Sequence, residues 1–146
     1  MQMAADAPTL ERRFRASAEE LKSVRTAVRE HALRAGCEES EASDLVLAID
    51  EACQNIIRHA YCGDEAGEIE LHLECTADAL VVSLRDYAPA SNPDCLEAAR
   101  DLRELRPGGL GTHFIRSVMD EVGFVDVPEG EGNLLRMVKR VGRPSA

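Results

Sequence analysis

Residues 44–61 read DLVLAIDEACQNIIRHAY, and their spacing predicts a helix with an unusual polar side. A helix advances about 100° per residue. On that wheel Leu45, Val46, Ile49, Ala52, Cys53, Ile56, Ile57 and Ala60 share one broad arc. Asp44, Ala48, Glu51, Asn55, Arg58 and His59 share the opposite one. Solvated helix faces favour Lys and Glu, which keep their rotamer freedom there. Asn is a mediocre helix former because its amide competes for nearby backbone groups. An Asn one turn after a Glu in mid-helix therefore marks a candidate site, against the alternative of a plain solvated face.

Upstream, residues 9–16 (TLERRFRA) alternate roughly and suit a first strand at a sheet edge, where charged side chains discourage further pairing. Ser17 is a good N-cap with Glu20 three residues on, and Leu21, Val24, Val28, Ala32 and Leu33 stripe a helix to about Ala35, ended by Gly36. Ser40 and Ser43 are candidate caps for the second helix, which the turn chemistry of CGDEAG stops near Tyr61.

Downstream, residues 68–75 (EIELHLEC) and 79–86 (ALVVSLRD) alternate and read as a hairpin closed by Thr76-Ala77-Asp78. Residues 87–107 carry Pro89, Pro93 and Pro107 around a helical spacing at Leu96, Ala99, Leu102 and Leu105, and suit a lid over a site. Gly108-Gly109-Leu110-Gly111 then opens a helix over 112–121, followed by strands over 122–127 and 134–141. Hairpin-joined strands with the helices kept apart predict an α/β two-layer sandwich in one domain, 1–146, with its core at about 9–141.

Bulk properties narrow the function. The net charge of -10 argues against a direct nucleic-acid partner, because counterion release from phosphates needs a basic surface. It leaves room for a phosphate held locally by backbone N–H groups. Five cysteines at wide spacing, with no CxxC pair, form no zinc pattern and suit reduced thiols in a cytoplasmic protein. No apolar run approaches the roughly 20 residues of a membrane span, so no membrane partner is expected.

The glycine turn is neither a Walker A loop, since no Lys follows it, nor a dinucleotide fingerprint, since the third Gly is missing. Combined with the helix, however, the pieces can serve four tasks in nucleotide chemistry. Asn55 offers a neutral oxygen to Mg²⁺, which keeps several waters and needs few protein ligands. Asp86 can accept from an adenine amino group. Gly108 to Gly111 can hold phosphates at a helix start. Glu51 can act as general base for an attacking hydroxyl.

These residues resemble a known family. ExxxN in the helix, the strand-ending Asp86 and the GGLG turn look like the nucleotide-binding boxes of the GHKL ATPase superfamily. The likeness is to its stand-alone anti-sigma factor serine/threonine-protein kinases of the RsbW and SpoIIAB type. Three stretches carry it, namely EACQNIIRHAY from Glu51, GGLG from Gly108 and SVMDEV from Ser117. The resemblance implies a Bergerat fold, with a mixed, mainly antiparallel sheet covered on one face by helices. It implies ATP and Mg²⁺ as cofactors, a STAS-domain anti-anti-sigma protein as phosphorylated partner, a sigma factor or other regulated protein as the second partner, and a homodimer. Carried over by position, Glu51 is the catalytic base and Asn55 the Mg²⁺ ligand. Asp86 contacts adenine, Gly109 and Gly111 hold the phosphates, Arg58 steadies their charge, and Ala88, Gly108, Leu110 and Thr112 complete the nucleotide-binding set. One departure stands out: Ala88 occupies a position where the family has Gly. It motivates the alternative of a catalytically weak or inactive nucleotide-sensing interaction module on the same fold.

Overall fold

The computed structural model describes residues 9–61, 66–88, 115–128 and 132–141. Strand β1 is Leu10–Arg15, β2 is Glu68–Cys75, β3 is Ala79–Asp86, β4 is Glu121–Val125 and β5 is Asn133–Arg140. They form one sheet in the order β1-β2-β3-β5-β4. All four pairings among the described residues are antiparallel. The expected antiparallel character is therefore present, and no parallel pair occurs among the described residues.

Strict alternation does the sorting. Ile69, Leu71 and Leu73 of β2 and Leu80, Val82 and Leu84 of β3 are buried, whereas the residues that alternate with them are half-buried or exposed. Successive strand residues point to opposite faces, so one apolar row suffices to fix which side meets the helices. Thr76 closes the β2–β3 hairpin, its Oγ1 accepting from the Ala79 N–H at 3.0 Å. Strand β1 lies at the sheet edge as expected, and Arg13 pairs with Glu68 at 2.7 Å across it. Such exposed pairs contribute about 0–1 kcal/mol each. Each fully buried Leu or Ile contributes about 1.5–3 kcal/mol, so the core, not the charge ladder, holds the sheet to its helices.

Helix α1 (Ala18–Arg34) starts at Ser17, whose hydroxyl accepts from the Glu19 N–H at 3.3 Å rather than forming the expected box with Glu20. Leu21, Val24, Val28 and Ala32 are buried, and His31 is buried with them. Gly36 takes φ 99°, the left-handed conformation that ends helices on glycine. Helix α2 (Glu39–Asn55) starts earlier than its apolar spacing suggested. Its cap is Glu38, not Ser40 or Ser43, and Glu41 accepts from the Glu38 N–H at 2.9 Å. The reciprocal use of two glutamates satisfies helix-start donors that a serine would otherwise take. Arg25 binds Asp50 at 2.8 Å and joins the two helices.

Two features of α2 depart from the helical wheel. Ala48 and Asn55, placed on the polar arc, are buried, with Ala48 at 0% and Asn55 at 4% exposure. That arc therefore faces protein rather than water at these points. The regular helix also stops at Asn55 and continues as a π-helical turn, Ile56–Ala60, closed by the Tyr61 N–H on the Ile56 carbonyl at 3.0 Å. Such wide turns are rare and recur at functional sites. Residues 115–118 are helical and stop three residues short of the expected end, because β4 already begins at Glu121. Ile115 and Met119 are buried as expected. The expected lid over 89–107 and the glycine turn over 108–111 lie outside the described residues.

Candidate functional site

The alternation that buries Leu80, Val82 and Leu84 also puts Asp86 on the core face of β3, at 1% exposure. A carboxylate carried there must be hydrogen-bonded. Its Oδ1 accepts from the Ala88 N–H at 3.1 Å and from the Asn133 side-chain amide at 3.2 Å. Burial pushes the Asp86 carboxyl above its ordinary range, and the bonds from Ala88 and Asn133 and the charge of Arg85 oppose that shift. Ala88 is partly buried and packs against the core.

Asn133 and Gly132 escaped the sequence reading. Residues 129–133 (EGEGN) have the composition of a turn, and the only available signal is an Asn directly after a Gly at a strand start. Register explains their role. Asp86 stands opposite Asn133 in the β3–β5 ladder. Gly132 precedes it at φ 80°, and a Cβ there would lie 1.9 Å from the Asp86 carbonyl oxygen. Only glycine both adopts that conformation and lets the two backbones approach so closely.

On α2, Glu51 is half-buried one turn before Asn55, and no hydrogen bond or ion pair to its carboxylate occurs among the described residues. Its neighbour Asp50 differs: it is bound by Arg25 at 2.8 Å and by Gln54 at 2.7 Å, a structural pair of contacts. Asn55 is buried, and its Oδ1 accepts from Arg58 Nη2 at 3.0 Å. Arg58 itself is exposed. The structure thus brings Asn55 and Arg58 together. Gly108, Gly109, Leu110, Gly111 and Thr112 lie outside the described residues.

Tyr61 ties the two ends of the site. Its hydroxyl donates to the Glu68 carbonyl at 2.6 Å and accepts from the Tyr87 N–H at 2.7 Å. With Ile69 paired to Asp86, Glu68 and Tyr87 are the next rung of the β2–β3 ladder. The tyrosine oxygen is inserted into that rung, so the end of the π-helical turn is fastened to the residue after Asp86. A Cβ on Gly67 would lie 2.4 Å from the Tyr61 ring, so the glycine makes room for it. Burial raises the Tyr61 hydroxyl above its ordinary value and keeps it protonated.

At the other end of the sheet, Lys139 Nζ donates to the Val118 carbonyl at 3.1 Å and lies 3.6 Å from Asp44 on α2. It therefore joins the helical residues 115–118 to the helix that carries Glu51 and Asn55.

The described residues contain no group of three or more His, Cys, Asp or Glu side chains able to hold a metal ion. The donor set suits a cation that arrives on phosphate oxygens and needs one neutral protein oxygen, a role Asn55 fits. No helix among the described residues is long and apolar enough to cross a membrane.

Comparisons with known proteins bear on the fold and the family. The chain is 29% identical to the serine-protein kinase RsbW of Halalkalibacterium halodurans over 92% of its own length and 85% of that protein's. It is 29% identical to the Bacillus subtilis RsbW over 80% and 78% of the two chains. Among solved structures, the RsbU and RsbW domains of a Mycobacterium tuberculosis protein match with a TM-score of 0.67 at 21% identity. That match covers 94% of this chain and 33% of the other. A SiaB–SiaC complex from Pseudomonas aeruginosa matches with a TM-score of 0.60 at 19% identity, over 90% and 89%. The two structures share the fold. The model of the histidine kinase-like ATPase domain matches residues 14–139, which take in both helices, β2, β3 and β4, nearly all of β5 and every described candidate residue. The chain therefore belongs to the histidine kinase-like ATPase domain family.

Proposed function

We propose that this chain is an ATP-dependent protein serine/threonine kinase that acts in the cytoplasm as an anti-sigma factor of a partner-switching pathway. The observation that carries the proposal is the pairing on α2 of a half-buried Glu51, without a hydrogen-bond or ion-pair partner among the described residues, with a buried Asn55 whose side-chain oxygen accepts from Arg58. The names of the RsbW relatives support the kinase assignment.

Bound MgATP supplies the transferable phosphoryl group. The chain's own residues do the rest. Asp86 Oδ1 is engaged by Ala88 and Asn133, which orients the carboxylate so that its second oxygen can accept from the adenine amino group. Asn55 Oδ1 would ligate the Mg²⁺. Arg58 offsets phosphate charge, and the backbone N–H groups of residues 108–112 suit the phosphates. Glu51 would take the proton from the Ser or Thr hydroxyl of a STAS-domain anti-anti-sigma protein as that oxygen attacks the γ-phosphorus and the β–γ bridging oxygen leaves with ADP. Such a base contributes about 10²–10⁴-fold to the rate. Phosphorylation of that partner would free the kinase, as a homodimer, to hold a sigma factor or another regulated protein.

The test is transfer of labelled γ-phosphate from ATP to the STAS-domain proteins of the same organism. The expected result is one phosphate on a Ser or Thr of one such partner, with none transferred by Asn55→Ala. Saturable MgATP binding without transfer to any of them would overturn the kinase assignment.

A further inference from the structure

The contact between Arg58 and Asn55 couples two residues assigned above to the same nucleotide. Asn55 is buried, and a buried carbonyl oxygen needs a donor. Arg58 Nη2 provides it at 3.0 Å, from an exposed side chain three residues along the same segment. The guanidinium therefore occupies one of the two lone-pair positions of the oxygen that a Mg²⁺ ion would use. Two cations repel strongly when they compete for one oxygen in a partly buried site. The start of the π-helical turn at Ile56 lies between the two residues, and three positions along one helical segment keep the side chains within reach of one another.

We infer that Arg58 is a metal-sensing positioning residue: it holds Asn55 Oδ1 in place of the cation and is released to the phosphates only when Mg²⁺ takes that oxygen. The inference rests on the ATP-binding reading above. It makes the grip on phosphate conditional on metal. Metal-free ATP finds Arg58 tethered to Asn55 through Nη2. MgATP gains both the Asn55 ligand and a freed guanidinium. The contact thus discriminates MgATP from free ATP with a single hydrogen bond.

The experiment is calorimetric titration of the full chain with ATP, once with Mg²⁺ and once with EDTA. The proteins are wild type, Asn55→Ala, Arg58→Ala and the double variant. Asn55→Ala is expected to weaken MgATP but to tighten metal-free ATP by about fivefold, the scale of one charge-assisted hydrogen bond. The gain arises because its Arg58 is free from the start, and it should vanish in the double variant. Arg58→Ala alone is expected to lower MgATP affinity by about tenfold and leave metal-free ATP within about twofold of wild type. An Asn55→Ala protein that binds metal-free ATP no tighter than wild type overturns the inference. So does an equal loss of both ligands in Arg58→Ala, which stands even where Asn55→Ala fails to fold. In either case a MgATP affinity that depends on Asn55 leaves the ATP-binding reading intact. A wild type that binds neither ligand removes both.

Discussion

Asn133, the first residue of β5, stands directly opposite Asp86, the last residue of β3, and its amide donates to the buried carboxylate at 3.2 Å. This cross-strand bond and the Ala88 N–H on the same oxygen hold the carboxylate in its buried orientation. Asn133→Ala is expected to weaken ATP binding by about 1 kcal/mol, roughly fivefold, with little change in fold. Calorimetric titration of both proteins checks it.

The Asp86 carboxyl lies above its ordinary value near 3.8 because of burial. The sign follows for both stability and ligand. In the free protein, the stability from this group is present below the ordinary value and lost as pH rises through the raised one. Adenine recognition needs the ionised form, so ATP affinity should fall on acidification at a higher pH than an unperturbed carboxylate would give. Asp86→Asn should bind weakly with no such pH dependence. A titration series between pH 4 and pH 8 would distinguish the two proteins.

Gly132→Ala should be costly for a residue in a surface turn. A Cβ would meet the Asp86 carbonyl oxygen at 1.9 Å, and φ 80° is strained for any L side chain. The obstacle is backbone, which cannot rotate aside. The expected loss is about 1–3 kcal/mol in urea unfolding, together with weakened ATP binding.

Glu51→Gln removes the proposed base while keeping its shape. Phosphoryl transfer should fall by about 10²-fold or more, with MgATP affinity within about twofold of wild type. Undiminished transfer in this variant would remove Glu51 from the mechanism.

Tyr61→Phe removes the hydroxyl between the Glu68 carbonyl and the Tyr87 N–H. Both backbone groups lose a buried partner, and urea unfolding should show a loss of about 1–2 kcal/mol. Hydrogen exchange at the Tyr87 amide should accelerate, because the bond that protects it is gone.

His31 is buried in α1, its Nε2 has no hydrogen-bond partner among the described residues, and burial, then the charge of Arg34, lowers its pKa below the ordinary 6.5. Its neutral form is the folded form. Stability is therefore full above about 6.5 and declines as pH falls toward the depressed value, where the unfolded chain binds a proton that the folded chain does not. His31→Leu should flatten the difference between urea midpoints at pH 7.5 and pH 5.5.

Much of this was legible in residue order. The alternation in EIELHLEC and ALVVSLRD predicted β2, β3 and their buried rows within a residue, because strand period and burial are both local properties. The spacing of Glu51 and Asn55 marked the candidate site for the same reason: four residues make one helical turn. The start of α2 was misplaced because Glu38 and Glu41 share a capping role that looked better suited to serines. The wheel misjudged Ala48 and Asn55 because a helix can be covered on more than its apolar stripe.

By itself, then, the sequence determined the two-layer class, the polar helix face and the strand-ending position of Asp86, all of which follow from periodicities within one segment. The tertiary structure decided the rest. It placed β5 beside β3 and so set Asn133 and Gly132 against Asp86 across 46 residues or more of chain. It inserted the Tyr61 hydroxyl into the β2–β3 ladder, and it laid Arg58 on the buried oxygen of Asn55. Those contacts depend on strand order and on which groups burial leaves in need of a partner, and neither is encoded in the spacing of any one segment.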